Sequence, residues 1–474
     1  MRVRQFVDQG LGNSAHLVIS EIDGVAVLID PLRDVDQYHN VARREGVRIT
    51  HVCETHLHND FLSGSRELAA STGARIVASA DARLEFEHQP VCDGDVLVVG
   101  HIRITVLATP GHTPEHVSYL VRDTSQPSEA PVLFSGGSLL VGAVSRTDLL
   151  GHEHATGLAH QLYRSLHDRI LPLGDDVVVY PTHGGGSFCT ADAGSASTTT
   201  IGRERCGNPF LALPGPEAFA DRLLGSMPSY PTYFLSMRAL NRRGPRVLGQ
   251  LPRLGPLSPH DVYERHGRGD PVVDMRSIYD YARGHIPGVY HVELRPAFAS
   301  WVGWVVPFGT SVLLVSDSTE VHEYAVRQLV RIGYDDLPGY LDGGMAAWER
   351  AGLPVARVPV LTMREVRRRL IQESGEPLVV MDVRQAHEWA AGHIPQAELI
   401  EAGALPQGDL HKLPTDRLIA THCGHGQRAA TGMSVLERRG FTNLALIAEG
   451  VDDWRKAGGE VEQGAPTEHQ NTRV

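Results

Sequence analysis

From Leu17 the chain carries two short apolar runs, Leu17 to Ile22 and Val25 to Ile29, joined by the turn pair Asp23-Gly24. The second run is apolar at consecutive positions, which predicts a strand buried on both faces. A polar, helix-compatible segment from Asp34 to Glu45 follows, then the apolar run Val47 to Val52 and a helical stretch from Leu62 to Ser71. Further strands are predicted at Arg75 to Ala78, Ile102 to Leu107 and Val177 to Tyr180. This alternation predicts helices packed on the outer faces of sheets.

Histidines sit where these strands end. Val47 to Val52 leads into Thr55-His56-Leu57-His58-Asn59-Asp60-Phe61. In extended chain, residues i and i+2 point to one side, so His56 and His58 can face a single ion, with Asp60 at the following turn. The run to Ala108 closes into Thr109-Pro110-Gly111-His112-Thr113, and Tyr180 is followed by Pro181-Thr182-His183-Gly184-Gly185-Gly186. Three such events make His56, His58, Asp60, His112 and His183 a candidate metal set. His16, His51, His101 and His116 lack this placement, and His116 is the one expected beside the site. Gly184 to Asn208, including Gly194-Ser195-Ala196-Ser197, reads as a long loop near the site, where Arg203 and Arg205 are candidate contacts for a thiol cofactor's carboxylates. Prolines from Pro252 to Pro259 mark a domain boundary.

Beyond that boundary the pattern repeats. Val272-Val273-Asp274-Met275-Arg276 recurs as Val380-Met381-Asp382-Val383-Arg384, and Gly284-His285-Ile286-Pro287 as Gly392-His393-Ile394-Pro395. Near each end come Asp342-Gly343-Gly344-Met345-Ala346-Ala347-Trp348 and Glu449-Gly450-Val451-Asp452-Asp453-Trp454. A spacing of about 108 residues makes this a tandem pair of domains, each a small parallel α/β sheet. In the second copy the apolar run to Ala420 leads to Thr421-His422-Cys423-Gly424-His425-Gly426-Gln427-Arg428, ahead of a helix over Ala429 to Arg438. A cysteine between a strand end and a helix start has backbone N–H groups converging on its sulfur. Those donors, the helix terminus and Arg428 favour the thiolate. The first copy has Val315-Ser316-Asp317-Ser318 at this point and no cysteine, so it is expected to be catalytically silent.

Composition narrows the partners. With 44 Lys plus Arg against 56 Asp plus Glu, the net charge of -12 argues against a nucleic-acid or anionic-membrane binder. No run approaches the ~18 uncharged apolar residues of a membrane span, and a soluble cytoplasmic protein is expected. The five cysteines, Cys53, Cys92, Cys189, Cys206 and Cys423, form no Cys-x-x-Cys pair and read as reduced thiols.

Taken together, residues 1 to 250 resemble a metallo-β-lactamase-fold domain, carried by His56, His58, Asp60, His112 and His183. Thr109 to Thr113 with Val141 to Leu149 looks most like the persulfide dioxygenases within that superfamily. Residues 256–356 and 359–464 resemble rhodanese domains, with Cys423 to Arg428 matching the Cys-x-x-Gly-x-Arg loop of that family. The implied fold is α/β: an αββα metallo-β-lactamase sandwich followed by two rhodanese-like parallel α/β domains. The resemblance also implies one metal ion, iron(II) ahead of zinc(II), and glutathione or another low-molecular-weight thiol as substrate carrier. It makes Cys423 the persulfide carrier and Arg428 the anion-holding group, acting on persulfide, thiosulfate or sulfite, with a homo-oligomer open.

Two positions depart from the pattern. Phe61 stands where the motif has a fourth histidine, and Gly137, in Phe134-Ser135-Gly136-Gly137-Ser138, stands where it has an aspartate. In the persulfide dioxygenases that aspartate joins two histidines in holding iron, and His58 and His112 match the histidine positions. Three readings therefore stay open: iron with Asp60 or water filling the gap, zinc on His56, His58 and His112 serving a thioesterase-like hydrolase, or a degenerate metal domain beside the Cys423 sulfurtransferase.

Overall fold

The computed structural model describes residues 1–190, 196–372 and 378–466. It divides into two compact units, Met1–Leu251 with Val330–Gly333, and Pro252–Leu329 with Tyr334–Val474.

The first unit is built on two six-stranded sheets. One runs in the order Arg2–Asp8, Asn13–Ser20, Val25–Ile29, Arg48–Cys53, Arg75–Ser79, Gln89–Val91. The other runs Thr199–Thr200, Val178–Pro181, Val132–Gly136, Val117–Asp123, Ile102–Ala108, Val96–Val99. Val25–Ile29 explains its own consecutive apolar pattern. Val27 and Ile29 face the second sheet, packing with Ile104, Val106 and Tyr119, whereas Ala26 and Leu28 face the helices through Tyr38, Ala42 and Leu68. Behind the second sheet, Leu133 and Val179 pack on Leu162, Phe219 and Leu223 of the helices His152–Arg164 and Pro216–Ser226. The layers are thus α, β, β, α.

Gly184 to Asn208 differs from the loop expected of it. Gly194 and Ser195 lie outside the described residues, but Thr199–Thr200 forms an edge strand and Ile201–Gly207 a short helix. Thr200 caps that helix by accepting from the Arg203 N–H. Arg205 is occupied by Asp175 and the Leu171 carbonyl, which removes it as a free anion contact, and Arg203 is exposed.

In the second unit, two five-stranded parallel sheets share one strand order. The first runs Gly255–Leu257, Gly339–Leu341, Leu313–Val315, Val272–Asp274, Tyr290–His291, and the second Val360–Leu361, Leu444–Ile447, Leu418–His422, Leu378–Asp382, Glu398–Leu399. The repeated motifs do the same work twice. Arg276 holds Asp274 and the Gly284 carbonyl, and Arg384 holds Asp382 and the Gly392 carbonyl, each at 2.6 and 2.8 Å. The next residue, His285 or His393, stacks on Tyr281 or Trp389 at 3.8 Å between ring centres. The Asp-x-Arg and Gly-His pairs therefore staple a strand end to a buried loop.

The two copies also meet. Glu437 accepts from the Gly288 N–H and lies 3.2 Å from His285 Nε2, Ser434 Oγ accepts from the His291 N–H, and Arg438 lies over the Tyr290 ring. Glu437, Ser434 and Arg438 all lie on the helix Gln427–Arg438 that follows the Cys423 loop.

Candidate functional site

The segment carrying His56, His58 and Asp60 leaves the strand Arg48–Cys53 and is pinned from several sides. Asp30, left-handed at φ 50° after its own strand, accepts from the Thr55 N–H and Thr55 Oγ1. Glu115 accepts from the Leu57 N–H, Asn241 donates to the carbonyls of His58 and Phe61, and Tyr233 donates to that of Asp60. The segment has no regular secondary structure of its own, so these side chains provide its rigidity.

Side-chain tautomers follow from this network. His112 Nδ1 lies 2.7 Å from the Arg146 carbonyl and must donate to it, which leaves the lone pair on Nε2, a buried atom with no hydrogen-bond partner. His183 Nδ1 donates to Asn13 Oδ1 at 2.9 Å, since Asn13 Nδ2 already donates to Asp60 Oδ2. His56 Nδ1 donates to Thr55 Oγ1, whose own proton goes to Asp30. The Nε2 lone pairs of His56 and His183 thus face each other at 3.3 Å. Bare, they repel. A tetrahedral cation with bonds near 2.05 Å has donor–donor edges of about 3.3 Å.

His58 turns its Nε2 to Glu54 and Asp30, at 3.1 and 3.4 Å, and stacks on Phe61. Burial lowers its pKa, but the Asp30 charge and the bonds to Asp30 and Glu54 outweigh burial and push it up to about 10. Its Nδ1, also buried, has no partner. A carboxylate behind an imidazole whose other nitrogen is free is the arrangement that orients a metal ligand. Asp60 plays a comparable part for His183, with its Oδ2 at 3.3 Å from Nδ1. Burial and the neighbouring His183 charge hold His112 down to about 3, and burial with four surrounding histidines keeps His56 well below the usual imidazole range.

The sequence-derived residues come together, but not as one ring. Ligand atoms of His56, His58 and His183 lie within 4.8 Å of one another, and so do those of His112, His183 and Cys189. His183 belongs to both groups. Cys189, Asp30 and Glu54 escaped the sequence reading. Only Cys189 carried a local signal, six residues after His183 in the same glycine-rich stretch. His116 sits beside the cluster, accepting the Gly137 N–H on Nε2. A narrow pocket walled by Leu57, Ala82, Leu84, Phe86 and Pro245 reaches His56 and His58. The residues present fit a divalent cation: unpartnered nitrogens, rear N–H groups fixed, and carboxylates behind them.

In the second unit, Cys423 follows the strand Leu418–His422 and is buried. The Gly426 N–H donates to its sulfur at 3.2 Å, and Gly426 adopts φ 91° to turn the chain into the helix Gln427–Arg438. Arg428 is held by both oxygens of Glu388, Nη2 donating to Oε1 at 2.8 Å. That pairing aligns the guanidinium beside the loop. In the first repeat the residue after the strand paired to Asp274 is Ser316, whose hydroxyl is taken by His322 at 2.7 Å.

Comparison with known proteins agrees with these two halves. The metallo-beta-lactamase superfamily model matches residues 9–183, and the rhodanese-like domain model matches residues 258–351 and 363–457. A hydroxyacylglutathione hydrolase of Polaromonas sp. (strain JS666 / ATCC BAA-500) is 30% identical over 262 residues, 49% of this chain and 95% of the relative. The mitochondrial persulfide dioxygenase ETHE1 of Homo sapiens is 32% identical over 194 residues, 40% of this chain and 67% of the relative. Among solved structures, a metallo-beta-lactamase from Staphylococcus aureus subsp. aureus COL is 32% identical with a TM-score of 0.64, covering 72% of this chain and 98% of that one. Among the described residues no helix is long and apolar enough to cross a membrane.

Proposed function

The chain belongs to the metallo-β-lactamase superfamily and carries two rhodanese-like domains, and from this we propose a fused persulfide dioxygenase and sulfurtransferase. The observation that carries the reading is Cys423, with a backbone N–H on its sulfur, in one chain with a histidine cluster suited to a metal.

The sulfurtransferase half uses Cys423 as nucleophile. Its thiolate attacks the sulfane sulfur of thiosulfate, a new S–S bond forms, and sulfite leaves. An acceptor thiol then attacks the outer sulfur and frees Cys423. The Gly426 N–H stabilises negative charge on the sulfur, and Arg428, aligned by Glu388, holds the oxyanion of donor or product.

In the first unit, His56, His58, His112 and His183 would hold the ion, with Glu54 and Asp60 orienting His58 and His183 from behind. Iron(II), bound there, would supply redox chemistry with O₂. The overall change is a thiol persulfide plus O₂ and water giving the thiol, sulfite and protons. Glutathione or a similar small thiol is the carrier this reading assigns. The test is O₂ uptake by iron-loaded protein given glutathione persulfide. Uptake above the metal-free control is expected, and its absence overturns the dioxygenase reading.

One observation favours a second reading. Gly137 offers no carboxylate to the cluster, and imidazole-rich sites suit zinc, which fits hydrolysis of a glutathione thioester as in the Polaromonas relative's name. Stoichiometric zinc in protein purified without added metal, with thioester hydrolysis and no O₂ uptake, would establish it.

A further inference from the structure

We propose that Cys189 is a ligand of the metal centre, supplying as a thiolate the negative charge that the histidines lack. The inference rests on the reading that the first unit binds a metal.

Charge poses the problem. Neutral imidazoles bring no charge of their own to a divalent cation, and in this buried site Asp30 and Glu54 reach it only from behind His58. Gly137 brings no carboxylate, and the space its side chain would enter is closed. A Cβ there would fall 2.4 Å from His112 Cδ2 and 3.1 Å from Nε2. Asp60 gives Oδ2 to Asn13 and to the rear of His183, at the Nδ1 facing away from His56, and its Oδ1 is buried without a partner.

Cys189 answers it. The residue is fully buried, and its sulfur falls within 4.8 Å of the ligand atoms of both His112 and His183. The second, independent observation is His112 Nε2, buried, carrying a lone pair and lacking any partner. The same main chain sets both groups. Arg146 donates its N–H to the Cys189 carbonyl at 2.9 Å and accepts the His112 Nδ1–H on its own carbonyl at 2.7 Å. Ser187 Oγ fixes the Cys189 N–H from the other side. Binding replaces the S–H bond with a metal–sulfur bond and releases the proton to solvent. Added beside His112 and His183, a thiolate softens the imidazole donor set and suits it to zinc or cobalt.

The test is titration of chelator-stripped, full-length protein with Co(II) in the absence of oxygen. The wild type is expected to show the near-ultraviolet sulfur-to-cobalt charge-transfer absorption, and Cys423→Ser to keep it. Cys189→Ser should lose that absorption and bind Co(II) more than about tenfold less tightly. Cys189→Asp, which keeps an anionic side chain should the serine variant fold poorly, should bind Co(II) without the absorption. Co(II) bound by the wild type with no such absorption, or an absorption that survives in Cys189→Ser, overturns the assignment of Cys189 alone. Failure of the wild type to take up Co(II) or Zn(II) at all overturns the metal reading and the assignment with it.

Discussion

The imidazole of His112 lies against Gly137 so closely that a β-carbon on residue 137 would meet its ring at 2.4 Å. The two residues therefore depend on each other: the glycine makes room, and the histidine fills it. A carboxylate at residue 137 cannot be added without moving a candidate ligand.

Gly137→Ala is accordingly expected to cost about 1–3 kcal/mol, because the His112 ring is held by the Arg146 carbonyl and by the rings of His56 and His183 and cannot retreat freely. Metal uptake should fall with it, and Gly137→Asp should fare worse despite its carboxylate. Thermal melting and metal analysis of the two variants check this. Gly137→Asp with wild-type stability and stronger iron binding would contradict it.

Glu388 holds Arg428 through both its carboxylate oxygens. Glu388→Ala leaves a half-buried guanidinium without its two acceptors and should cost about 1–2 kcal/mol of stability. Sulfur transfer from thiosulfate should lose roughly tenfold to a hundredfold in kcat/KM, since the anion contact is no longer aligned. Glu388→Gln, keeping one acceptor, should recover part of both. A Glu388→Ala variant with unchanged thiosulfate KM and kcat would show that Arg428 needs no partner.

Acid sensitivity should trace in part to His291. Burial lowers its pKa from 6.5 to about 4, despite the nearby Asp274 charge. The unfolded chain then takes up a proton that the folded protein refuses. The contribution to stability is full above pH 6.5 and is lost as pH falls toward 4, by about 3 kcal/mol in all. His291→Asn should flatten the pH dependence of the urea midpoint across that window, and an unchanged slope would remove His291 as a source.

The strand-end histidines were legible because a period of two places His56 and His58 on one side, and because glycine and proline mark where strands stop. The repeat was legible because its stapling residues recur at a fixed distance, Arg276 and Arg384 each holding a carboxylate two residues back. Cys189 was not. Its approach to His112 spans 77 residues and depends on Arg146 holding both, a tertiary fact without a local pattern. Glu388 and Arg428 meet across 40 residues for the same reason. The helix Ile201–Gly207 was hidden by the threonine run before it, where Thr200 reads equally well as loop or as cap.

Where the second repeat has Cys423 the first carries Ser316, whose hydroxyl serves His322 and the Ser318 carbonyl and nothing beyond its own fold. On its other face it packs against the second repeat. His285, Gly288 and His291 seat the helix whose first turn holds the Cys423 loop. The first repeat is thus expected to tolerate change at Ser316 and to resist it at the surface that seats this helix.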